Sequence, residues 1–209
     1  HEESQEAETA PVDEDAEARV IQTTARSAAG VLVHSPRDSP YNNTVLVTAA
    51  TSGYIELLQN WMCQADALGL RYLVMALDRR LYEGLSTGAV AYGTVHYPKL
   101  GPGGHAALHS VARFRHLPED VIGEQFHNYN HGPYVAVTCG KPRAVGIILS
   151  AGLDVLFLDP DVSLIRSPLP LVPQDSLVYY AYQPNIGPAT QLPNCNDPGP
   201  AEGNTGVFR

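Results

Sequence analysis

The chain reads as an α/β domain, an open and mostly parallel sheet with helices on its faces. Two observations predict it. Residues 44–77 run strand, amphipathic helix, strand, a βαβ unit whose two strands are expected to be parallel neighbours. Residues 141–158 then repeat the order helix, glycine, strand. Strands alternating with helices are the pattern of a parallel sheet covered on both faces.

The elements follow in order. Residues 1–40 are acidic, then rich in Ala, Ser and Pro. They read as a tail or linker with at most one weak segment between Val20 and Val33, so the domain is expected over residues 41–209. Asn42-Asn43-Thr44 is an N-glycosylation sequon in a turn ahead of the first strand. Residues 44–50 (TVLVTAA) form a short β-branched apolar run, the mark of a buried strand. Ser52 is placed to cap the next helix, in which Ile55, Leu58, Met62, Ala65 and Leu68 recur at helical spacing and Gly69 stops the run. Trp61, the one tryptophan, falls on that helix and reads as a packing residue. Residues 71–77 (RYLVMAL) are a second buried strand.

From Leu81 to Gly132 glycine, proline and histidine break the pattern, and residues 98–104 are expected to be a loop. Lys141 opens a helix with Ala144, Val145, Ile148 and Leu149 on one face, closed by Ala151-Gly152. Residues 154–158 (DVLFL) have the length and apolarity of a central parallel strand. A proline-rich turn at 168–173 and a strand at 177–182 come after it.

Composition excludes several function classes. The 209 residues carry a formal charge of -9, but eight of the 22 acids precede the first base. That leaves fourteen acids against 13 bases, a near-neutral body that argues against nucleic acid as a partner. No run approaches the roughly 20 apolar residues of a membrane span, and the first residues lack the basic and apolar regions of a signal peptide. Cys63, Cys139 and Cys195 are spaced neither as a disulfide framework nor as a zinc site.

The chemistry concentrates at Asp159-Pro160-Asp161, directly after the strand at 154–158. Ligands of open α/β sheets bind beyond the carboxyl ends of the strands. Two carboxylates there offer hard oxygen ligands to Mg²⁺ or Mn²⁺, which would neutralise a diphosphate and stabilise it as a leaving group. A plain Asp-Pro turn is the bland alternative.

The surroundings of this pair resemble the nucleotide-diphospho-sugar transferases, including the plant and algal enzymes of glycosyltransferase family 77. The matching residues are Lys141-Pro142 and its helix, then Gly152-Leu153-Asp154-Val155-Leu156-Phe157-Leu158-Asp159-Pro160-Asp161-Val162, Leu164, Arg166 and Pro168, with Asn204-Thr205-Gly206 resembling a later Asn-Ser/Thr-Gly segment. The resemblance implies a GT-A-like fold, a nucleotide-sugar donor, most simply a UDP-sugar, and transfer to a glycan or glycoprotein acceptor with retention of configuration. It implies Asp161 and Asp159 as ligands of Mn²⁺ or Mg²⁺, with Asp159 also near the ribose. Thr48, Ala49, Ala50 and Thr51 would border the nucleotide, and Lys141 would reach phosphate or orient the carboxylates. Asn204, Thr205 and Gly206 would meet the sugar or acceptor. It further implies a Golgi-lumen enzyme with a membrane anchor upstream, and more catalytic domain after the Asn-Thr-Gly segment than this chain holds. Pro160, Leu164 and Tyr182-Gln183 depart from the family pattern.

Other readings compete. Residues 155–164 also resemble the first motif of haloacid-dehalogenase-like phosphatases, where one Asp is a nucleophile and the next a general acid/base. Those enzymes need a downstream Lys and a later acidic pair, and no Lys follows Lys141. His105 with His109, and His127 with His131, have helical spacing for zinc but lie among glycines and asparagines. Gly101-Pro102-Gly103-Gly104 lacks the lysine of a P-loop. A transferase-like domain that binds nucleotide without turnover is the non-enzymatic alternative.

Overall fold

The computed structural model describes residues 13–31, 39–87, 109–114, 134–172, 180–183 and 202–208. These residues contain four α-helices, α1 (Glu14–Ala28), α2 (Ile55–Ala67), α3 (Arg79–Ser86) and α4 (Tyr134–Leu149). Six strands join them: β1 (Thr44–Ala50), β2 (Tyr72–Ala76), β3 (His109–Arg113), β4 (Asp154–Leu158), β5 (Tyr180–Gln183) and β6 (Glu202–Phe208). They form one sheet in the order β3-β2-β1-β4-β6-β5. β3, β2, β1 and β4 are parallel, while β6 runs antiparallel to both β4 and β5. This is a GT-A-like α/β architecture, and the expected parallel pairing of β1 with β2 holds in the register Val47↔Leu73.

All seven residues of β1 are buried, because helices cover both faces of the sheet. Alternation along the strand divides them between two cores. Val45, Val47 and Ala49 face Ile21, Ala25, Ala144, Val145 and Ile148 of α1 and α4. Leu46 and Ala50 face Leu58, Trp61 and Ala65 of α2 with Leu81 and Leu85 of α3. Trp61 is fully buried, its ring edge-on to Tyr72 with centroids 5.1 Å apart.

The domain start differs from the expected tail. Residues 14–28 are a helix whose Ile21, Ala25 and Ala28 recur on one face and enter the core. Its acids also have a helical role. The Asp13 side chain accepts from the Ala16 N–H at 3.0 Å as the N-cap, and Glu14, Asp15 and Glu17 occupy the first turn, where negative charge opposes the helix dipole. Gln22 Nε2 donates to Ser150 Oγ at 3.0 Å, tying α1 to the end of α4.

Three local expectations change. Ser52 does not cap α2: it opens a 3₁₀ turn, Ser52–Tyr54, and its buried hydroxyl has no partner among the described residues. α4 begins seven residues before Lys141, which therefore lies mid-helix beside Pro142. Leu149 is 51% exposed instead of completing the apolar face. Within the weakly patterned stretch, α3 and β3 were not foreseen. Asp78 is the N-cap of α3, and Leu81 and Leu85, four apart, bury its inner face. The predicted loop at 98–104 and His105, His127 and His131 lie outside the described residues, while His109 begins β3.

The glycine stops work as expected. Gly69 has φ +65°, with the Leu70 N–H bonding the Ala65 carbonyl and the Gly69 N–H bonding that of Asp66, a Schellman ending. Gly152 has φ +76°, and a Cβ there would meet nothing within 4 Å. Gly152→Ala therefore tests backbone strain alone and should cost about 1 kcal/mol. A melting temperature lower by about 2–4 °C would record it.

Candidate active site

The chain leaves β1 toward β2 on one side, and β4 lies on β1's other side. The carboxyl ends of β1 and β4 thus flank a topological switch point, where open α/β sheets form a crevice. A cleft lies there, lined by Ala49 and Ala50 at the end of β1, Thr51 and Tyr54 after it, Val137 and Lys141 of α4, and Asp159, Pro160 and Asp161 after β4. Six residues expected from sequence to share a site therefore meet, although about 110 positions separate the two carboxylates from the end of β1.

The carboxylates are held by a turn. The Val162 N–H donates to the Asp159 carbonyl at 3.0 Å, closing four residues with Pro160 in the second position, where its fixed φ favours a turn. The Asp-Pro turn and the paired carboxylates are thus one and the same feature. Pro160 is buried, Asp161 is exposed, and Asp159 lies between these extremes. The loop beyond is pinned by the Leu164 N–H, which donates to Gln64 Oε1 on α2 at 2.6 Å.

Lys141 reaches across from α4. Its Nζ is 2.5 Å from Asp159 Oδ1, and the two side chains are only 13% and 18% exposed. The ammonium also sits 5.8 Å from the centroid of the Phe157 ring. Burial pushes the Asp159 carboxyl above its ordinary range; Lys141 opposes that rise by charge and hydrogen bond, and the Asp161 charge adds to it. Asp159 is thus a carboxylate that ionises at a cost and benefits from a cation.

The remaining expected residues are placed as follows. Thr51 lines the cleft, fully buried, its hydroxyl without a partner among the described residues. Thr48 lies inside the sheet, fully buried, and does not line the cleft. Asn204, Thr205 and Gly206 belong to strand β6. The register Phe157↔Phe208 and Leu158↔Val207 carries the β6 backbone past the end of β4 at Gly206, beside the carboxylate turn.

Tyr54 and Val137 in the lining, and Asp78 behind it, were not anticipated. Tyr54 stands on the β1 side of the cleft, and an aromatic shortly after a strand end was its only signal. Asp78, buried after β2, accepts from the Leu81 N–H at 2.8 Å through Oδ1 and from the Ser52 N–H through Oδ2. One carboxylate thus caps α3 and fixes the segment that borders the cleft after β1. An acid between an apolar strand and a Leu-x-x-x-Leu helix was its sequence signal.

Comparison with known proteins places this geometry. A family profile described as nucleotide-diphospho-sugar transferase matches residues 68–208, a span that includes Lys141, Asp159, Asp161 and β6. The beta-arabinofuranosyltransferase RAY1 of Arabidopsis thaliana is similar, with 28% identity over 134 residues, 63% of this chain and 21% of the relative. The chain spans about a fifth of the length of that curated relative. No solved structure gives a significant match.

Proposed function

The chain belongs to the nucleotide-diphospho-sugar transferase family, and from that premise we propose that its cleft binds a nucleotide sugar with a divalent ion and takes part in moving the sugar to a glycan or glycoprotein. The observation that carries this reading is the convergence of the β1 end, Lys141 and the Asp159-Pro160-Asp161 turn on one cleft at the switch point. Asp159 and Asp161 would hold Mn²⁺ or Mg²⁺. The donor set fits such an ion: two hard carboxylates, with no third His, Cys, Asp or Glu joining them among the described residues. These ions commonly complete their shell with phosphate oxygens and water, whereas structural zinc needs four protein ligands. When bound, the ion supplies Lewis-acid stabilisation to the departing diphosphate.

Ala49, Ala50 and Thr51, with Tyr54, would border the base and ribose, the small side chains leaving room beside the aromatic ring. Asn204, Thr205 and Gly206 would approach the sugar or acceptor. A UDP-sugar is the donor to try first, and the relative's name makes an arabinofuranosyl nucleotide a candidate. Transfer with retention and residence in the Golgi lumen belong to the same proposal. Among the described residues, no helix is long and apolar enough to cross a membrane. Membership of the family favours transfer over the phosphatase reading. Nucleotide binding without turnover is separated from it by incubating the chain with UDP-sugars and Mn²⁺ and following UDP release, which the catalytic reading requires.

The raised Asp159 value sets a pH dependence. Because folding favours the protonated form, this group's contribution to stability is fully present below the ordinary carboxylate range and is lost as pH rises through the raised value. Cation binding has the opposite preference, since the ion needs Asp159 charged. Mn²⁺ affinity should therefore fall as pH is lowered from about 7, beginning above the range of an exposed aspartate, about 4. Calorimetric Mn²⁺ titrations along that pH series check it, and a decline confined to the exposed-aspartate range would count against it.

A further inference from the structure

We propose that Lys141 couples the two ligands of the cleft: its ammonium is a resident cation on Asp159, so that a divalent ion is held tightly only together with a diphosphate. This rests on the metal-site reading above and adds to it a reason for the ligands to bind as a unit.

The argument is one of charge at close quarters. Lys141 Nζ lies 2.5 Å from Asp159 Oδ1, and both side chains are largely withdrawn from water. Asp159, Asp161 and Lys141 together carry one net negative charge. A divalent ion on the carboxylates turns that into one net positive charge, with ion and ammonium competing for the same oxygen. Low local dielectric makes this repulsion stronger than it would be in bulk water. The diphosphate of a nucleotide sugar brings two negative charges and returns the cluster to its starting value. Lysine suits the exchange, since its flexible stem and three donors let the ammonium leave Asp159 for a phosphate oxygen without losing a charged partner. Lys141 lines the cleft, so that movement needs no opening of the fold.

Binding free energies are reciprocal, so the same coupling raises nucleotide affinity when the ion is present and ion affinity when the nucleotide is present. Lys141 is thus a positioning residue whose removal should strengthen one binding event while weakening the synergy between two. A purely structural lysine would not do this.

The test is calorimetry on the chain with Mn²⁺ alone, UDP alone and both together, for wild type, Lys141→Met, Lys141→Arg and Asp161→Ala, each first checked for folding by circular dichroism. In wild type, UDP should tighten Mn²⁺ by about 100-fold. Lys141→Met should bind Mn²⁺ alone at least about 10-fold more tightly than wild type, with the coupling reduced to about 5-fold or less. Lys141→Arg keeps the charge and should retain most of the coupling. Should Lys141→Met fail to fold, Lys141→Gln serves the same comparison. Mn²⁺ affinity unchanged or weakened in the neutral variant, or coupling equal to wild type, overturns the role of Lys141 even if binding still requires Asp161. Wild-type binding that ignores Asp161, or no binding of Mn²⁺ by the folded chain, overturns the metal-site reading itself and the coupling with it.

Discussion

Asp161→Ala should abolish Mn²⁺-dependent UDP binding while leaving the melting temperature close to that of the wild type. Asp161 is the exposed member of the carboxylate pair, presented in the third position of the turn that Pro160 shapes. Its truncation leaves no cavity and strands no buried partner, so the cost to stability should stay within about 0.5 kcal/mol. Binding is a different matter. Changes to residues that merely support a metal ligand commonly cost 10–100-fold in affinity, so losing one of the two proposed ligands should cost more than about 100-fold. Calorimetry of UDP with and without Mn²⁺ separates the outcomes. Asp161→Ala binding Mn²⁺ and UDP like wild type would remove the carboxylate pair from the function.

Asp78→Ala should lower the melting temperature by about 6–12 °C and weaken nucleotide binding, although Asp78 does not line the cleft. Its carboxylate serves the Leu81 and Ser52 N–H groups, both at buried residues. Truncation removes an N-cap, costing about 1 kcal/mol, and leaves a second buried donor unsatisfied, costing about 1–3 kcal/mol more. A total near 3 kcal/mol is a large fraction of the usual stability of a domain. Asp78→Asn should fall between the two. Its amide oxygen can still cap α3, but its NH₂ group opposes the Ser52 N–H. If the alanine variant melts as wild type does, the carboxylate is not the staple described.

The central strands and the carboxylate pair were legible because their signals are local. β1, β2 and β4 are short apolar runs bounded by turn residues, and Asp159 and Asp161 follow the most apolar of them directly. α1 was hidden because its acids dominate composition, yet they occupy the first turn and leave Ile21, Ala25 and Ala28 free to pack. α3 has only eight residues, with two apolar anchors, too few for a clear period. β6 contains Gly203 and Gly206 and has little intrinsic strand preference; pairing with β4 on one side and β5 on the other makes it a strand. The Lys141–Asp159 and Asp78–Ser52 contacts span 18 and 26 positions between different elements. The family resemblance already set Lys141 near the carboxylates, whereas only the folded topology reveals the pairing of Asp78 with Ser52.

The packing of α1 bears on where the gene may be cut. Its inner residues share a core with Ala112 and Phe114 at β3, the outermost strand on that side of the sheet. A recombinant start chosen by composition, just ahead of Tyr41, would discard this cover and leave an apolar face of the sheet open to association. α1 and the sheet share one core and are therefore kept or lost together.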